Sequence, residues 1–149
     1  GCNLRRRLTV ELADSATLLL CEPLVFGRAA MGETLRDATF DDRITVTRGG
    51  RPLFLDAMQV SGDIAAHLAR PFTANGAGAF ATLLLVRADA EGQLAPLRAM
   101  LPETGGASLL APDILILRLL AGDGFELRRS LVPILRRLLK SDLPRPWMI

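Results

Sequence analysis

The stretch RITVTRGGRPLFLDAMQV, residues 43–60, decides the fold prediction for this chain. Charged and hydroxyl residues alternate with β-branched ones from Arg43 to Arg48, and apolar residues alternate with others again from Arg51 to Val60. Alternation with a period of two gives a strand one buried and one exposed face. Gly49-Gly50 joins the two runs, and the tight turns that match strand twist need positive φ at their centre. The stretch therefore predicts a β-hairpin.

Two apolar runs precede the hairpin. Leu8–Leu12 has apolar residues at every second position, and Ala16–Glu22 is an apolar run of strand length. We expect the second strand to end at Pro23, because proline cannot donate to a ladder. The simplest arrangement pairs these two strands with each other, and the three arginines at positions 5–7 are then a solvated approach to the first strand.

Further strands are predicted in the second half of the chain. Phe80–Val86 is almost continuously apolar, which is typical of a strand buried on both faces. Ser108–Leu120 consists of two alternating runs broken at Pro112-Asp113, and it predicts a strand pair. Between these regions, Phe72–Ala79 is rich in small residues and predicts a loop.

Helical spacing appears at three places: Asp63–Arg70, Leu94–Leu101 and Phe125–Lys140. Pro133 lies inside the last pattern, where a proline costs about 3 kcal/mol, so we expect that helix to kink or to start late. The tail from Leu143 to Ile149 is expected to be extended, because each proline biases its predecessor away from the helical region.

The amino-acid composition limits the classes of protein to which the chain can belong. The chain has 149 residues, half of them hydrophobic, and a formal net charge of +2. These values argue against disorder and against a strongly basic nucleic-acid binder. Strand and turn units without a linker predict a mainly β single domain over residues 1–149, with a few helices and the longest of them near the C-terminus.

Cysteine usage and hydropathy indicate the compartment. Cys2 and Cys21 are too few for a disulfide framework or a four-ligand zinc site, which favours a reducing interior. No charge-free apolar run reaches the roughly 18 residues that a membrane span needs, and no leader-like segment opens the chain. The sequence therefore predicts a cytoplasmic protein with no membrane partner.

The stretch EPLVFGRAAMGE, residues 22–33, is the least generic part of the chain. Gly27 and Gly32 have the spacing of a phosphate-binding loop, but that loop needs Lys and then Ser or Thr, and here Glu33 places a negative charge where phosphate would bind. The glycines are better explained by positive φ at a turn, with Arg28 pairing with Glu22 or Glu33.

Few residues favour catalysis or tight metal binding. The single histidine, His67, shares a predicted helix face with Ile64, so a packed histidine is favoured over a general base. Cys21 and Glu22 should point to opposite faces of their strand unless a bulge intervenes at Pro23. We expect Cys21 to be a core residue and Glu22 a salt-bridge partner. An alternative is a small β-rich ligand-binding domain or enzyme with a pocket around Arg28, Glu33 and His67.

Residues 22–33 closely resemble the signature of the urease accessory protein family UreD, called UreH in some organisms. In that signature an acidic residue and an apolar pair precede Gly-Arg, small residues and Gly-Glu; Gly27, Arg28, Gly32 and Glu33 match it, and Glu22 matches its leading acid. The Gly-Gly hairpin and the closing Pro-Arg-Pro-Trp support the resemblance. It covers nearly all of this chain but only about the C-terminal half of a family member.

The resemblance implies a two-layer, β-helix-like stack of strands and no enzymatic activity. A family member would bind UreF, which recruits the GTPase UreG, and the assembly would deliver nickel to apo-urease. Nickel would be in transit, with no tightly bound cofactor, because its usual imidazole and thiolate ligands are scarce here. The resemblance makes Glu22 a candidate for a metal path lined by acidic groups, while the motif glycines and Arg28 shape a turn.

Overall fold

The computed structural model describes residues 1–27, 31–139 and 141–147. These residues form seven strands and three helices, so the prediction of a mainly β fold with few helices, the longest near the C-terminus, is confirmed. The elements are β1 (Cys2–Leu12), β2 (Leu18–Val25), β3 (Ala38–Arg48), β4 (Arg51–Gly62), α1 (Ile64–Leu68), β5 (Ala79–Val86), α2 (Ala90–Met100), β6 (Gly105–Ala111), β7 (Ile114–Ala121) and α3 (Gly124–Leu139).

The chain divides into two compact units. One comprises Gly1–Thr17 and Phe26–Gly76, and the other comprises Leu18–Val25 and Ala77–Ile149. The chain therefore leaves the first unit after β1 to form β2 and then returns to it for β3. The single domain over residues 1–149 and the two-layer, β-helix-like stacking of the sheets stay predictions.

The first unit contains a three-stranded sheet in the order β1-β3-β4. The predicted hairpin is confirmed: β3 and β4 pair antiparallel across Gly49 and Gly50, which adopt φ angles of 55° and 73°. β1 pairs parallel with β3. Apolar side chains of the sheet form a buried face, with Phe40, Ile44, Val46 and Phe54 among its most buried residues.

The predicted pairing of the first two strands with each other is wrong. β1 aligns with β3, so that Leu8 lies beside Ile44 and Val10 beside Val46. This register places the apolar positions of both strands on the same face of the sheet. β2 instead lies at the edge of the second sheet and pairs with β5.

The arginines at positions 5–7 lie within β1 and are not a solvated approach to it, which corrects the prediction. The parallel register places Arg5 beside Asp41 and Arg6 beside Asp42. Arg6 donates two hydrogen bonds to the Asp42 carboxylate, at 2.9 and 2.7 Å. Arg7 donates to both carboxylate oxygens of Asp41, at 3.1 and 2.8 Å. These ion pairs join residues that are far apart in sequence, so no local sequence pattern predicts them.

The second unit contains a four-stranded sheet in the order β2-β5-β7-β6. The buried strand and the strand pair predicted in the second half are confirmed as β5 and the hairpin of β6 and β7. Pro23 lies inside β2 and does not end it, contrary to the prediction. An edge strand tolerates proline, since the missing N–H can face away from the sheet.

Helices α2 and α3 pack on one face of the four-stranded sheet. The core there contains Leu83 and Leu117 from the sheet and Leu127, Leu131 and Ile134 from α3. α3 begins at Gly124, so the late start considered for Pro133 is wrong; the helix begins early because Asp123 accepts a hydrogen bond from the Glu126 N–H at 2.8 Å. The kink stays a prediction, and Lys140 lies outside the described residues.

Other boundaries shift slightly. α1 is shorter than predicted, and α2 begins four residues before Leu94. The tail is not extended over Arg145–Trp147, where a 3₁₀ turn forms and the Trp147 N–H donates to the Pro144 carbonyl at 2.8 Å. The fixed φ of proline fits such a turn, and Trp147 packs against the core. Met148 and Ile149 lie outside the described residues. Among the residues described, no helix is long and apolar enough to cross a membrane.

Candidate functional site

Glu22 lies in a row of polar residues that crosses the four-stranded sheet. It is in register with Thr82 on β5, which is in register with Arg118 on β7. Thr82 is 3% exposed and Glu22 is half-buried. Side chains directly opposite on neighbouring strands have Cβ atoms about 5 Å apart. The sheet therefore brings a carboxylate, a hydroxyl and a guanidinium together, between rows of apolar residues.

This polar row has defined but limited metal chemistry. A carboxylate and a hydroxyl supply oxygen ligands, which a divalent cation accepts, but Arg118, two strands from Glu22 in the same row, adds a positive charge that disfavours a cation there. Such a row suits brief contact with a cation better than tight coordination. The prediction that Glu22 forms a salt bridge and the prediction that it lines a metal path both stay predictions.

Cys21 and Glu22 point to opposite faces of β2. The register between β2 and β5 runs without a shift from Leu18 to Val25, so Pro23 introduces no bulge. Cys21 packs against the core, as expected from the sequence. Burial, with a smaller contribution from the Glu22 charge, raises the pKa of the Cys21 thiol to about 12. At neutral pH the thiol is protonated, which makes it a poor metal ligand.

The two glycines of the motif both adopt left-handed backbone conformations. Gly27 has a φ of 78° and Gly32 a φ of 71°. A Cβ atom on Gly27 would lie 3.5 Å from Leu35 Cγ, an ordinary contact, so the conformation and not the available space favours glycine there. Arg28 and its predicted pairing lie outside the described residues. The structural roles assigned to Gly27, Arg28, Gly32 and Glu33 therefore stay predictions.

His67 is half-buried in the last turn of α1. The helix begins at Asp63, whose carboxylate accepts a hydrogen bond from the Ala66 N–H at 2.8 Å. The adjoining loop is tied to α1 because the Ala65 N–H donates to the Leu35 carbonyl at 3.1 Å. Since Arg28 lies outside the described residues, the alternative pocket around Arg28, Glu33 and His67 stays a prediction.

The second unit contains a cavity that the sequence did not predict. Its volume is about 320 Å³, and it lies between β2, the first turns of α3 and Trp147. The Arg128 guanidinium is 5.8 Å from the centroid of the Trp147 ring and donates a hydrogen bond to the Trp147 carbonyl. The one signal for this cavity in the sequence was the single tryptophan in a proline-rich tail, because a tryptophan side chain needs a surface to pack on.

Acidic and thiol groups do not gather elsewhere in the described part of the chain. Within residues 1–27, 31–139 and 141–147, no group of three or more His, Cys, Asp or Glu side chains is placed to hold a metal ion.

Known proteins similar to this chain agree on one family. The sequence profile described as "UreD urease accessory protein" matches residues 1–148. A urease accessory protein UreD from Ruegeria pomeroyi is 57% identical over 149 residues, which is all of this chain. Proteins of the same name from Roseobacter denitrificans and Ruegeria sp. TM1040 are 47% and 52% identical, each over 97% of the chain.

The chain spans only about half the length of these relatives. It covers 58% of the Ruegeria pomeroyi protein, 53% of the Roseobacter denitrificans protein and 52% of the Ruegeria sp. TM1040 protein. The matched region nevertheless includes the motif at residues 22–33 and both sheets. The resemblance inferred from that motif is confirmed, and the chain belongs to the UreD family of urease accessory proteins.

Proposed function

We propose that this chain is part of a non-catalytic scaffold for urease maturation, which helps deliver nickel to apo-urease in the cytoplasm. In this proposal the whole protein binds UreF, and UreF recruits the GTPase UreG. The match to the UreD family over residues 1–148 is the observation that carries the proposal. Two β-sheets with apolar cores support it, since a scaffold needs rigid surfaces that hold partners in fixed positions.

Side-chain chemistry favours the passage of nickel over its storage. Imidazole and thiolate are the ligands that hold nickel well, but the Cys21 thiol stays protonated at neutral pH because burial raises its pKa to about 12. Glu22 offers a carboxylate on the opposite face of β2, in the row with Thr82 and Arg118. A single carboxylate, in a row that also carries a positive charge, binds a metal weakly and releases it readily.

Partner binding tests the proposal. Full-length protein carrying this sequence is immobilised, and purified UreF and apo-urease are passed over it separately. We expect UreF to be retained directly and UreG to be retained only when UreF is present. Retention of neither UreF nor apo-urease would contradict the proposal.

The role of Glu22 needs a separate test with a matched variant. Glu22→Gln removes the carboxylate in the polar row, and Glu103→Gln removes one from an exposed turn of the same unit. We expect Glu22→Gln alone to lower the yield of nickel-activated urease in a reconstituted maturation reaction, while both variants still bind UreF. Equal yields for the two variants would remove Glu22 from the nickel path and leave the scaffold proposal intact.

A further inference from the structure

Three arginines share the exposed face of the three-stranded sheet. The parallel register places Arg5 beside Asp41 and Arg7 beside Arg43. Alternate residues of a strand point to the same side, so these four side chains lie on one face, opposite to the face that buries Ile44. All three arginines are exposed. We call this group, the three arginines around Asp41, the cationic cluster.

The cationic cluster has more positive than negative charge. Arg7 donates hydrogen bonds to both carboxylate oxygens of Asp41, at 3.1 and 2.8 Å. Arg5 approaches the same carboxylate at 3.4 Å, and its side chain stays 76% exposed. The hydrogen bond from Arg7 lowers the pKa of Asp41, and the charges of Arg5 and Arg43 add to that effect. One carboxylate therefore faces three guanidiniums, and the excess charge lies mainly on Arg5 and Arg43.

The spacing of Arg5 and Arg43 matches that of an extended peptide. Neighbouring strands lie about 4.8 Å apart, and alternate residues of a strand about 6.6 Å apart, so the two Cα atoms are separated diagonally by about 8 Å. In an extended segment, side chains at alternate positions point the same way and are about 7 Å apart. Two carboxylates at alternate positions can therefore each meet one of these arginines.

The surroundings of the cationic cluster favour a protein partner over a nucleic acid. Its neighbours on the same face carry hydroxyl, amide or methyl groups: Asn3, Thr9, Thr39, Thr45, Ala57 and Gln59. Single-stranded nucleic acids bind on aromatic side chains, which these positions do not offer. Duplex binding draws its affinity from many phosphate contacts, far more than two exposed arginines supply. Hydroxyl and amide groups, in contrast, can hydrogen-bond the backbone of a peptide.

We propose that the cationic cluster docks an extended acidic segment of a partner protein. Carboxylates at alternate positions of that segment pair with Arg5 and Arg43, and Arg7 stays paired with Asp41. Because exposed ion pairs contribute little affinity individually, the cluster acts mainly on the choice of partner and on the rate of association. The proposal concerns a surface that the nickel path does not use, so it does not depend on nickel delivery.

An acidic peptide provides the test. A fluorescein-labelled decapeptide of alternating Glu and Thr is titrated with the full-length protein at about 50 mM salt, and fluorescence anisotropy is recorded. We expect saturable binding that weakens as the salt concentration rises to about 500 mM, because salt screens exposed charges. The same peptide with Gln in place of Glu keeps the length and the backbone, and it should bind at least about fivefold more weakly.

Two double variants separate the cluster from the net charge. Arg5→Gln with Arg43→Gln removes the excess charge of the cluster and should weaken binding about fivefold. Arg136→Gln with Arg137→Gln removes the same charge from exposed positions of α3 and should leave binding almost unchanged. Circular dichroism checks that both double variants are folded.

Asp41→Asn should act in the opposite direction. It removes the carboxylate that competes with the peptide and releases Arg7, so binding should tighten about threefold. A purely structural role of the cluster does not predict tighter binding. This variant also tests the proposal if Arg5→Gln with Arg43→Gln proves to be unfolded.

Several results would overturn the proposal. One is the absence of saturable binding at low salt, and another is an equal loss in the two double variants, which would assign binding to net charge alone. Weaker binding by Asp41→Asn would remove the role of the exposed arginines. A labelled thymidine oligonucleotide of the same charge that binds as tightly as the acidic peptide would assign the face to nucleic acid instead.

Discussion

At the scale of single residues, two neighbouring aspartates of β3 show how strand position decides what a charge does. Asp42 faces the apolar side of its sheet, is 7% exposed and receives two hydrogen bonds from Arg6. Asp41 points to the other face, where Arg7 and Arg5 pair with its carboxylate. Consecutive residues of a strand point to opposite faces of the sheet. Two adjacent aspartates therefore lie in different environments, one buried and one closer to solvent.

Replacing Asp42 by Asn should destabilise the protein by about 3 kcal/mol. The change leaves the Arg6 guanidinium, whose side chain is only 29% exposed, facing a neutral amide on a largely buried face. Urea denaturation followed by circular dichroism measures the loss in the free energy of unfolding. Asp41→Asn is the matched control and should have a smaller effect, because that pair lies toward solvent. Equal losses for both variants would contradict this account.

Stability should fall at acid pH because two carboxylates have lowered pKa values in the folded chain. The hydrogen bond from Arg7 lowers the pKa of Asp41, and hydrogen bonds from the Thr47 hydroxyl and the Gly50 N–H lower that of Glu11. Each group favours its ionised form when folded, so its stabilisation is complete above the ordinary carboxyl pKa of about 4 and is lost as pH falls through the folded value.

Urea denaturation at a series of pH values measures this dependence. We expect the free energy of unfolding to decrease as pH falls below about 4. The double variant Glu11→Gln, Asp41→Asn should show a flatter dependence over that range, since it removes the two groups that bind protons on unfolding. An unchanged slope in the double variant would assign the acid sensitivity to other carboxylates.

At the scale of elements, the hairpin of β3 and β4 depends on its two turn glycines. Gly50 has a φ of 73° and no atom within 4 Å of where a Cβ would lie, so the backbone conformation alone restricts the residue. Gly50→Ala should therefore lower the free energy of unfolding by about 1 kcal/mol. The melting temperature, recorded by circular dichroism, reports the change.

Replacing Gly92 in α2 is a control, because we expect it to change the free energy of unfolding in the opposite direction. Gly92 too has no atom within 4 Å of a Cβ position, but it lies in the first turn of a helix. Gly92→Ala should raise the free energy of unfolding by about 0.5 to 1 kcal/mol, because alanine loses less backbone entropy in a helix. A lower free energy of unfolding for Gly92→Ala, as for Gly50→Ala, would contradict this account. It would mean that alanine creates a clash which the backbone geometry does not show.

At the scale of the whole molecule, the chain passes between the two units more than once, while the single domain stays a prediction. β2, in the second unit, lies in sequence between β1 and β3 of the first unit. The first unit's segment Phe26–Gly76 is in turn enclosed between β2 and β5, which pair with each other. Loss of the pairing between β2 and β5 therefore frees both ends of that segment.

We expect a single cooperative unfolding transition. Trp147 fluorescence reports the second unit, whereas far-ultraviolet circular dichroism reports the strands of both units. The two signals should change at the same urea concentration. Two separate midpoints would contradict the single-domain prediction.

Local patterns predicted the local parts of this molecule. Gly49-Gly50 between alternating runs predicted the hairpin, and the apolar spacing of α3 predicted its buried face. Pairings between distant residues were missed: β1 beside β3, and Arg6 beside Asp42. Such contacts depend on which strands share a sheet, and one sequence carries no direct signal of that. The motif at residues 22–33 identified the family, but it located neither the polar row nor the cavity.

Pro23 has a consequence for solubility. β2 is an edge strand of a sheet made largely of apolar residues, and such an edge invites pairing with the same edge of another molecule. A proline in the middle of the strand withholds one backbone donor and interrupts any added ladder. Pro23→Thr should therefore increase concentration-dependent aggregation, measured by light scattering, without unfolding the monomer. A variant that stays as soluble as the parent chain would show that the edge is protected by other means.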